Sequence, residues 1–212
     1  MKLIFLRHGE SEANGKKFFA GHTDVGLSPR GKKQAELAAK YIKENFDVDK
    51  IYSSDLSRAY ETALPLALSL GLEICKDARL REIYGGKWEG KTFDELEILY
   101  PETYRVWLDD IGHARPDGGE SAGELSERIY SAVKDIAEKN EGKTVVIATH
   151  ATPIRAVFCL AAGEGTDGMK DVPWVANASV SVFDYENGRF TALTAGEDTY
   201  LEALKTTFPA NV

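Results

Sequence analysis

The sequence predicts an α/β fold: a three-layer α/β/α sandwich around a mostly parallel central sheet. Three observations carry that expectation. Short, unbroken apolar runs at residues 3–6 and 144–149 read as strands buried on both faces, the pattern of a parallel sheet. Between such runs lie segments with apolar residues at helical spacing, and strands alternating with helices imply a sheet covered on both sides. Finally, 212 residues with 43% hydrophobic and 28% charged side chains suit a globular chain that buries roughly 70% of its unfolded surface.

The elements follow in order. The first strand, residues 3–6, stops at Arg7-His8-Gly9, and a polar, Gly-containing stretch leads to Leu27. Ser28-Pro29 announces a helix, with Ser as N-cap and Pro at the first helical position. Leu37, Ala38, Tyr41, Ile42 and Phe46 continue it at helical spacing. Residues 50–54 read as a second strand and 57–71 as a helix, kinked by Pro65 and ended by Gly71. A third strand is expected at 72–76, then an irregular helical insertion at about 79–119, with helices near 93–100 and 102–109. Ser121 and Glu124 have capping-box spacing and open a helix to about Asn140. The strand 144–149 ends at His150, and a helix spans 152–162. Asn187-Gly188 signals a type I′ hairpin between strands at 178–185 and 190–193. With no linker, repeat or low-complexity segment, residues 1–212 are expected to form a single domain.

Composition narrows the function. Lys and Arg number 26 against 34 Asp and Glu, a net charge of −8 at pH 7, which disfavours nucleic acid and anionic membranes as partners. Cys75 and Cys159 are too few for a cysteine-rich zinc site and form no Cys-x-x-Cys pair. The N-terminal apolar run is shorter than a signal-peptide core, and no window is long enough to span a bilayer, so a cytoplasmic protein is expected.

In open α/β sheets ligands collect at the carboxyl ends of the strands. That rule gathers Arg7 and His8, the segment 53–58 with Arg58, and His150 at one edge. Singly, each has a structural explanation. Together they make a local positive pocket suited to phosphate or carboxylate. A neutral imidazole can attack phosphorus through one nitrogen if an acceptor holds the other nitrogen's proton, and flanking arginines disfavour protonation of the ring. No His-x-x-x-His or His-x-His spacing points to a metal, and the arginines would supply the electrostatic work of one, so neither metal nor cofactor is expected. His22 is expected in the pocket wall and His113 on the surface of the insertion.

Leu6-Arg7-His8-Gly9-Glu10-Ser11-Glu12-Ala13-Asn14 closely resembles the signature of the histidine phosphatase superfamily, the phosphoglycerate-mutase-like proteins. The resemblance continues through Gly21-His22-Thr23-Asp24, Tyr52-Ser53-Ser54-Asp55-Leu56-Ser57-Arg58-Ala59, Leu80-Arg81-Glu82 and Trp88-Glu89-Gly90. Pro116-Asp117-Gly118-Gly119-Glu120-Ser121 and Thr149-His150 complete it, in order, over most of residues 3–160. It implies a phosphoglycerate-mutase-like fold in which His8 accepts a phosphoryl group and Glu82 is general acid and base. Arg7, Asn14, Arg58 and His150 would hold the phosphate, with Gly21 and Ala151 completing the binding site.

The short stretch between Glu82 and His150, with Arg105, Arg115 and Arg128 standing singly, resembles the broad-specificity and α-ribazole phosphatases more than the mutases, whose paired arginines grip a carboxylate. A metal-independent phosphomonoester hydrolase acting on a small phosphorylated metabolite is therefore expected. A cofactor-dependent phosphoglycerate mutase and a non-catalytic phosphate sensor are the alternatives. Ala151 replaces the family's usual Gly, a costly change if that position requires positive φ, and Ala20 removes a hydroxyl that mutases tend to carry. Tyr84, Trp88, Phe93, Tyr100, Tyr104 and Trp107 are expected mostly as a satellite core, and one or two facing the pocket would favour a flat or apolar alcohol. A homodimer is compatible with the sequence, in which nothing fixes an interface.

Overall fold

The computed structural model describes residues 1–206. Strands β1 (Lys2–Arg7), β2 (Lys50–Ser53), β3 (Ile74–Lys76), β4 (Thr144–Thr149), β5 (Val180–Glu186) and β6 (Arg189–Glu197) form a six-stranded sheet in the order β3-β2-β4-β1-β5-β6. The first four run parallel; β5 and β6 close one side antiparallel.

The helices are α1 (Glu12–Lys16), α2 (Pro29–Asn45), α3 (Ser57–Leu70), α4 (Phe93–Leu99), α5 (Pro101–Asp109), α6 (Ala122–Lys139) and α7 (Ala151–Ala162). Strand periodicity divides the core in two. Leu3 and Phe5 of β1, with Val145 and Ile147 of β4, pack beneath α6 and α7. Ile4, Leu6, Val146 and Ala148 face the opposite way, onto Ala38 and Ile42 of α2 and Ala63 and Leu66 of α3. Burial on both faces explains why these strands read as continuous apolar runs, and it yields the expected three layers.

Local chemistry fixes the element ends. Ser28 accepts the Gly31 N–H at 3.0 Å at the start of α2. Ser121 and Glu124 cap α6 reciprocally. Asn187 (φ 51°) and Gly188 (φ 79°) both take the left-handed conformation that a type I′ turn needs. Pro65 lies inside α3, which continues to Leu70. One helix was not expected: α1 is five residues long, buries only Ala13, and is held by a Ser11–Asn14 capping box rather than by an apolar stripe. It is too short and too polar to leave a periodic signal.

The 79–119 segment folds as α4, α5 and short 3₁₀ turns. Its Trp88, Tyr104 and Trp107 are buried in the same core as α6 and α7. Phe19 meets Trp88 and Trp107 edge-on, with centroids 5.5 and 5.3 Å apart. Most of the insertion's aromatic residues thus serve packing.

The loop after β1 lies directly on the first turn of α2, with no side chain between them. A Cβ on Gly31 would come within 2.0 Å of the Glu10 carbonyl oxygen. Exchange of a helical glycine for alanine ordinarily stabilises by about 1 kcal/mol. Here Gly31→Ala must push backbone from backbone, so the variant is expected to lose about 1–3 kcal/mol, read as a lowered urea midpoint.

Candidate active site

The site originates in the pairing of β1 with β4. Arg7 stands opposite Thr149 in parallel register, so the next residue of each strand, His8 and His150, leaves the sheet at the same place. The His8 N–H donates to the Thr149 carbonyl at 2.9 Å. The two imidazole centroids are 5.1 Å apart, in an edge-on arrangement, and both rings are buried.

The His8 tautomer follows from its partner. His8 Nδ1 lies 2.7 Å from the Gly9 carbonyl oxygen, which can only accept. Nδ1 therefore carries the proton, and Nε2 presents a lone pair. His150 Nε2 lies 2.9 Å from Ser54 Oγ, which itself accepts the Leu56 N–H at 3.3 Å. The Ser54 hydroxyl serves as donor or acceptor to Nε2, and the other ring nitrogen, Nδ1, is a buried atom with no hydrogen-bond partner among the described residues. Burial first, then Arg58 and Arg7, hold the His8 pKa well below the ordinary imidazole value. Burial, Arg58, His8 and Arg7 do the same for His150.

The two arginines are themselves buried. Arg7 donates to the Val175 carbonyl, and Arg58 to those of Gly21 at 2.8 Å and Thr23 at 3.2 Å. Burial pushes the pKa of each down to about 10, opposed by Glu82, so both remain charged near neutrality. Gly21 has φ 51°, and a Cβ there would strike Glu89 Oε1 at 2.4 Å; Glu89 also accepts the His22 N–H at 2.7 Å. A glycine is thus required where the loop carbonyls bend to meet Arg58.

Glu82 is half-buried, with Oε1 accepting its neighbour's N–H (Ile83, 2.8 Å) and Oε2 facing the Thr152 N–H at 3.4 Å in the first turn of α7. Its backbone carbonyl is held by His22 Nε2 at 2.8 Å and by Arg128 at 3.2 Å.

An open cleft is lined by Arg7, His8, Asn14, Gly21, Arg58, Glu82 and Ala151. Of the residues expected at the site, His150 alone is absent from the lining and sits behind, against the His8 ring. Asn14 Oδ1 is engaged by Ser11 and by Asn177 Nδ2 at 3.3 Å, which leaves its NH₂ for a guest. Ala151 is helical, outside the positive-φ region, so replacement of glycine costs no backbone strain. His22 supports Glu82 and is not part of the cleft wall, contrary to expectation, because its ring turns to that carbonyl. His113 is exposed between Asp110 and Asp167, as expected.

Sequence reasoning missed Asn177. It is buried, donates from Nδ2 to the His8 carbonyl at 3.0 Å and to Asn14, and accepts from Thr206. The next residue, Ala178, adopts φ 55° and donates its N–H to the same His8 carbonyl at 3.1 Å. A non-glycine residue in that conformation marks a backbone over-determined at a functional site. The sequence carried no sign of it: Asn177 stands just ahead of the strand expected from 178, which in the structure begins at Val180.

Among the described residues, no three His, Cys, Asp or Glu side chains group as a metal site would require, and no helix is long and apolar enough to cross a membrane.

A family model described as histidine phosphatase superfamily (branch 1) matches residues 3–198. Phosphoserine phosphatase 1 of Hydrogenobacter thermophilus is 39% identical over 164 residues, covering 77% of each chain. A probable phosphoglycerate mutase, GpmB of Escherichia fergusonii, is 30% identical over 212 residues and 96% of each chain. The solved structure of Bacillus stearothermophilus YhfR superimposes with a TM-score of 0.90 at 29% identity, over 95% of this chain and 99% of that one.

Two histidines held neutral by burial and by arginine make stability depend on pH. In the unfolded chain both protonate near about pH 6.5, whereas in the folded chain they resist it, so the unfolded state binds more protons below that value. Their stabilising contribution is complete above about pH 6.5 and is lost as pH falls toward the depressed folded-state values, at up to about 1.4 kcal/mol per pH unit for each ring. Urea unfolding between about pH 7.5 and about pH 5.5 should show this slope, and His150→Asn should flatten it.

Proposed function

Because the chain belongs to the histidine phosphatase superfamily (branch 1), we propose that it hydrolyses phosphomonoesters of small molecules through a phosphohistidine on His8, without a metal ion. One observation carries this reading: a buried, neutral imidazole whose Nδ1 proton is held by the Gly9 carbonyl shares the cleft with two buried guanidinium ions.

In the first step His8 Nε2 attacks phosphorus while the ester oxygen leaves, taking a proton from Glu82. The phosphoryl group spreads its charge over three equatorial oxygens in the transition state. Arg7, Arg58 and the Asn14 NH₂ meet those oxygens, and His150, packed edge-on against the His8 ring, holds the nucleophile's ring beneath the phosphoryl group. In the second step Glu82 takes a proton from water, whose oxygen attacks phosphorus. Inorganic phosphate departs, and His8 returns with its lone pair. Gly21 and Ala151 serve by closeness of backbone, the one shaping the Arg58 loop and the other opening α7 at the cleft.

Hydrolysis rather than transfer to a second substrate oxygen is favoured by the charges. Arg128 grips Glu120 and the carbonyls of Arg79 and Arg81, Arg115 pairs with Glu124, and Arg105 pairs with Asp109 in solvent. None lines the cleft, so a phosphoglycerate carboxylate has no arginine clamp there.

With p-nitrophenyl phosphate in EDTA, the wild-type protein should release inorganic phosphate, and His8→Ala should lose about 10³-fold or more of kcat. Glu82→Gln should lower kcat by about 10²–10⁴-fold, most for esters with poor leaving groups. Release by His8→Ala at the wild-type rate would sink the proposal. Asn177→Asp puts an acceptor against Asn14 Oδ1, which turns the Asn14 NH₂ away from the cleft. It should raise the inhibition constant for inorganic phosphate by about tenfold, and the two changes should not add in the Asn14→Ala background.

A further inference from the structure

We infer that the phosphatase site takes esters of uncharged, aromatic or apolar alcohols and discriminates against leaving groups that carry a carboxylate. This rests on the phosphatase reading and deepens it.

The first support is the disposition of charge. Among the described residues lining the cleft, Arg7 and Arg58 are the only Lys or Arg side chains, and both flank the nucleophile. Once a phosphoryl group occupies them, a second anion on the same substrate finds no cation of its own. It finds Glu82, which becomes a carboxylate once it has given its proton to the leaving group. His22 turns its ring to the Glu82 carbonyl and does not line the cleft. A buried carboxylate without a partner is strongly disfavoured.

The second support is the wall beyond the phosphate subsite. There the cleft is lined by Phe18, Phe93, Trp107 and Trp174, with Ile83 below them. The indoles of Trp107 and Trp174 lie 6.3 Å apart, centroid to centroid, inclined at 39°. Trp174 is held from within the protein: the Arg155 guanidinium lies 4.3 Å from its ring centroid. Arg155 is a buried cation that the reaction does not use, committed to the Met169 carbonyl at 2.6 Å and to this ring, and it does not line the cleft. Its place explains how a partly exposed indole is kept in one orientation. A pre-positioned aromatic wall offers area to a flat or apolar group and no cation to a carboxylate.

The test compares benzyl phosphate, O-phosphoserine and 3-phosphoglycerate as substrates of the wild-type protein. All three release an alkoxide of similar basicity, so differences in kcat/KM report recognition of the alcohol. Benzyl phosphate should be favoured by about tenfold or more over each acid, since burial of an aromatic group is worth at least that much. In Trp174→Ala the ratio of benzyl phosphate to phosphoserine should fall by about tenfold, and Trp174→Phe should retain most of it. If Trp174→Ala does not fold, inhibition of the wild type serves instead: benzylphosphonate should bind about tenfold tighter than phosphonoacetate. Phosphoserine or 3-phosphoglycerate hydrolysed as well as benzyl phosphate would overturn the inference and leave the phosphatase reading intact. Failure of all three esters and of p-nitrophenyl phosphate would overturn the reading beneath it as well.

Discussion

Like charge held out of water is the constraint on which this structure turns. Arg7 and Arg58 are buried beside one another's fields, and burial brings each pKa down to about 10 without discharging it at neutrality. Two imidazoles share the same corner and are forced neutral by the same burial and the same arginines. Carbonyls of Val175, Gly21 and Thr23 and the more distant charges of Glu82, Asp24 and Glu89 offset part of the repulsion. In the proposed reaction a neutral nucleophile and a phosphate subsite are met by one arrangement, because the charges that would attract the guest also keep the proton off His8.

Such an arrangement tolerates little movement, and the fold restrains it from several directions. The parallel register of β1 with β4 sets the spacing of the two imidazoles. The glycine contact between the loop after β1 and α2 leaves no room for a side chain. Asn177 and the strained Ala178 converge on the His8 carbonyl from the far side, and Asn177 also fixes which end of Asn14 faces the cleft. His22 and Arg128 hold the backbone of Glu82 in the same manner. These residues do not need to touch a substrate to matter, since reacting groups must be held within fractions of an ångström of productive geometry.

Relatives of this chain carry different names, one a phosphoserine phosphatase and another a probable phosphoglycerate mutase. The proposed selection of substrate lies where the alcohol would bind. In this chain that region is built from Phe18, Phe93, Trp107 and Trp174, contributed by the segment after α1, the 79–119 segment and the loop before β5. A common phosphate cradle beside a separately built wall is how one fold serves several substrates.

Much of this protein was legible in its sequence. Strand runs at β1 and β4, the Ser28 and Ser121 caps, the Gly71 stop and the Asn187-Gly188 turn all rest on short-range physics, and each lies where local rules place it. The residues of the candidate site were legible for a related reason: chemistry at the carboxyl ends of parallel strands comes in recognisable runs, such as Arg7-His8-Gly9-Glu10. Helix α1 was not, because five residues held by one cap carry no period. Nor were the orientation of His22, the contribution of Asn177, or the division of the aromatic residues between core and cleft. Those depend on contacts between residues far apart in the chain: Asn177 meets His8, and Arg155 meets a tryptophan beyond its own helix. Periodicity and motif determine which groups a chain can bring to an edge. Only packing decides which side of each group faces the guest.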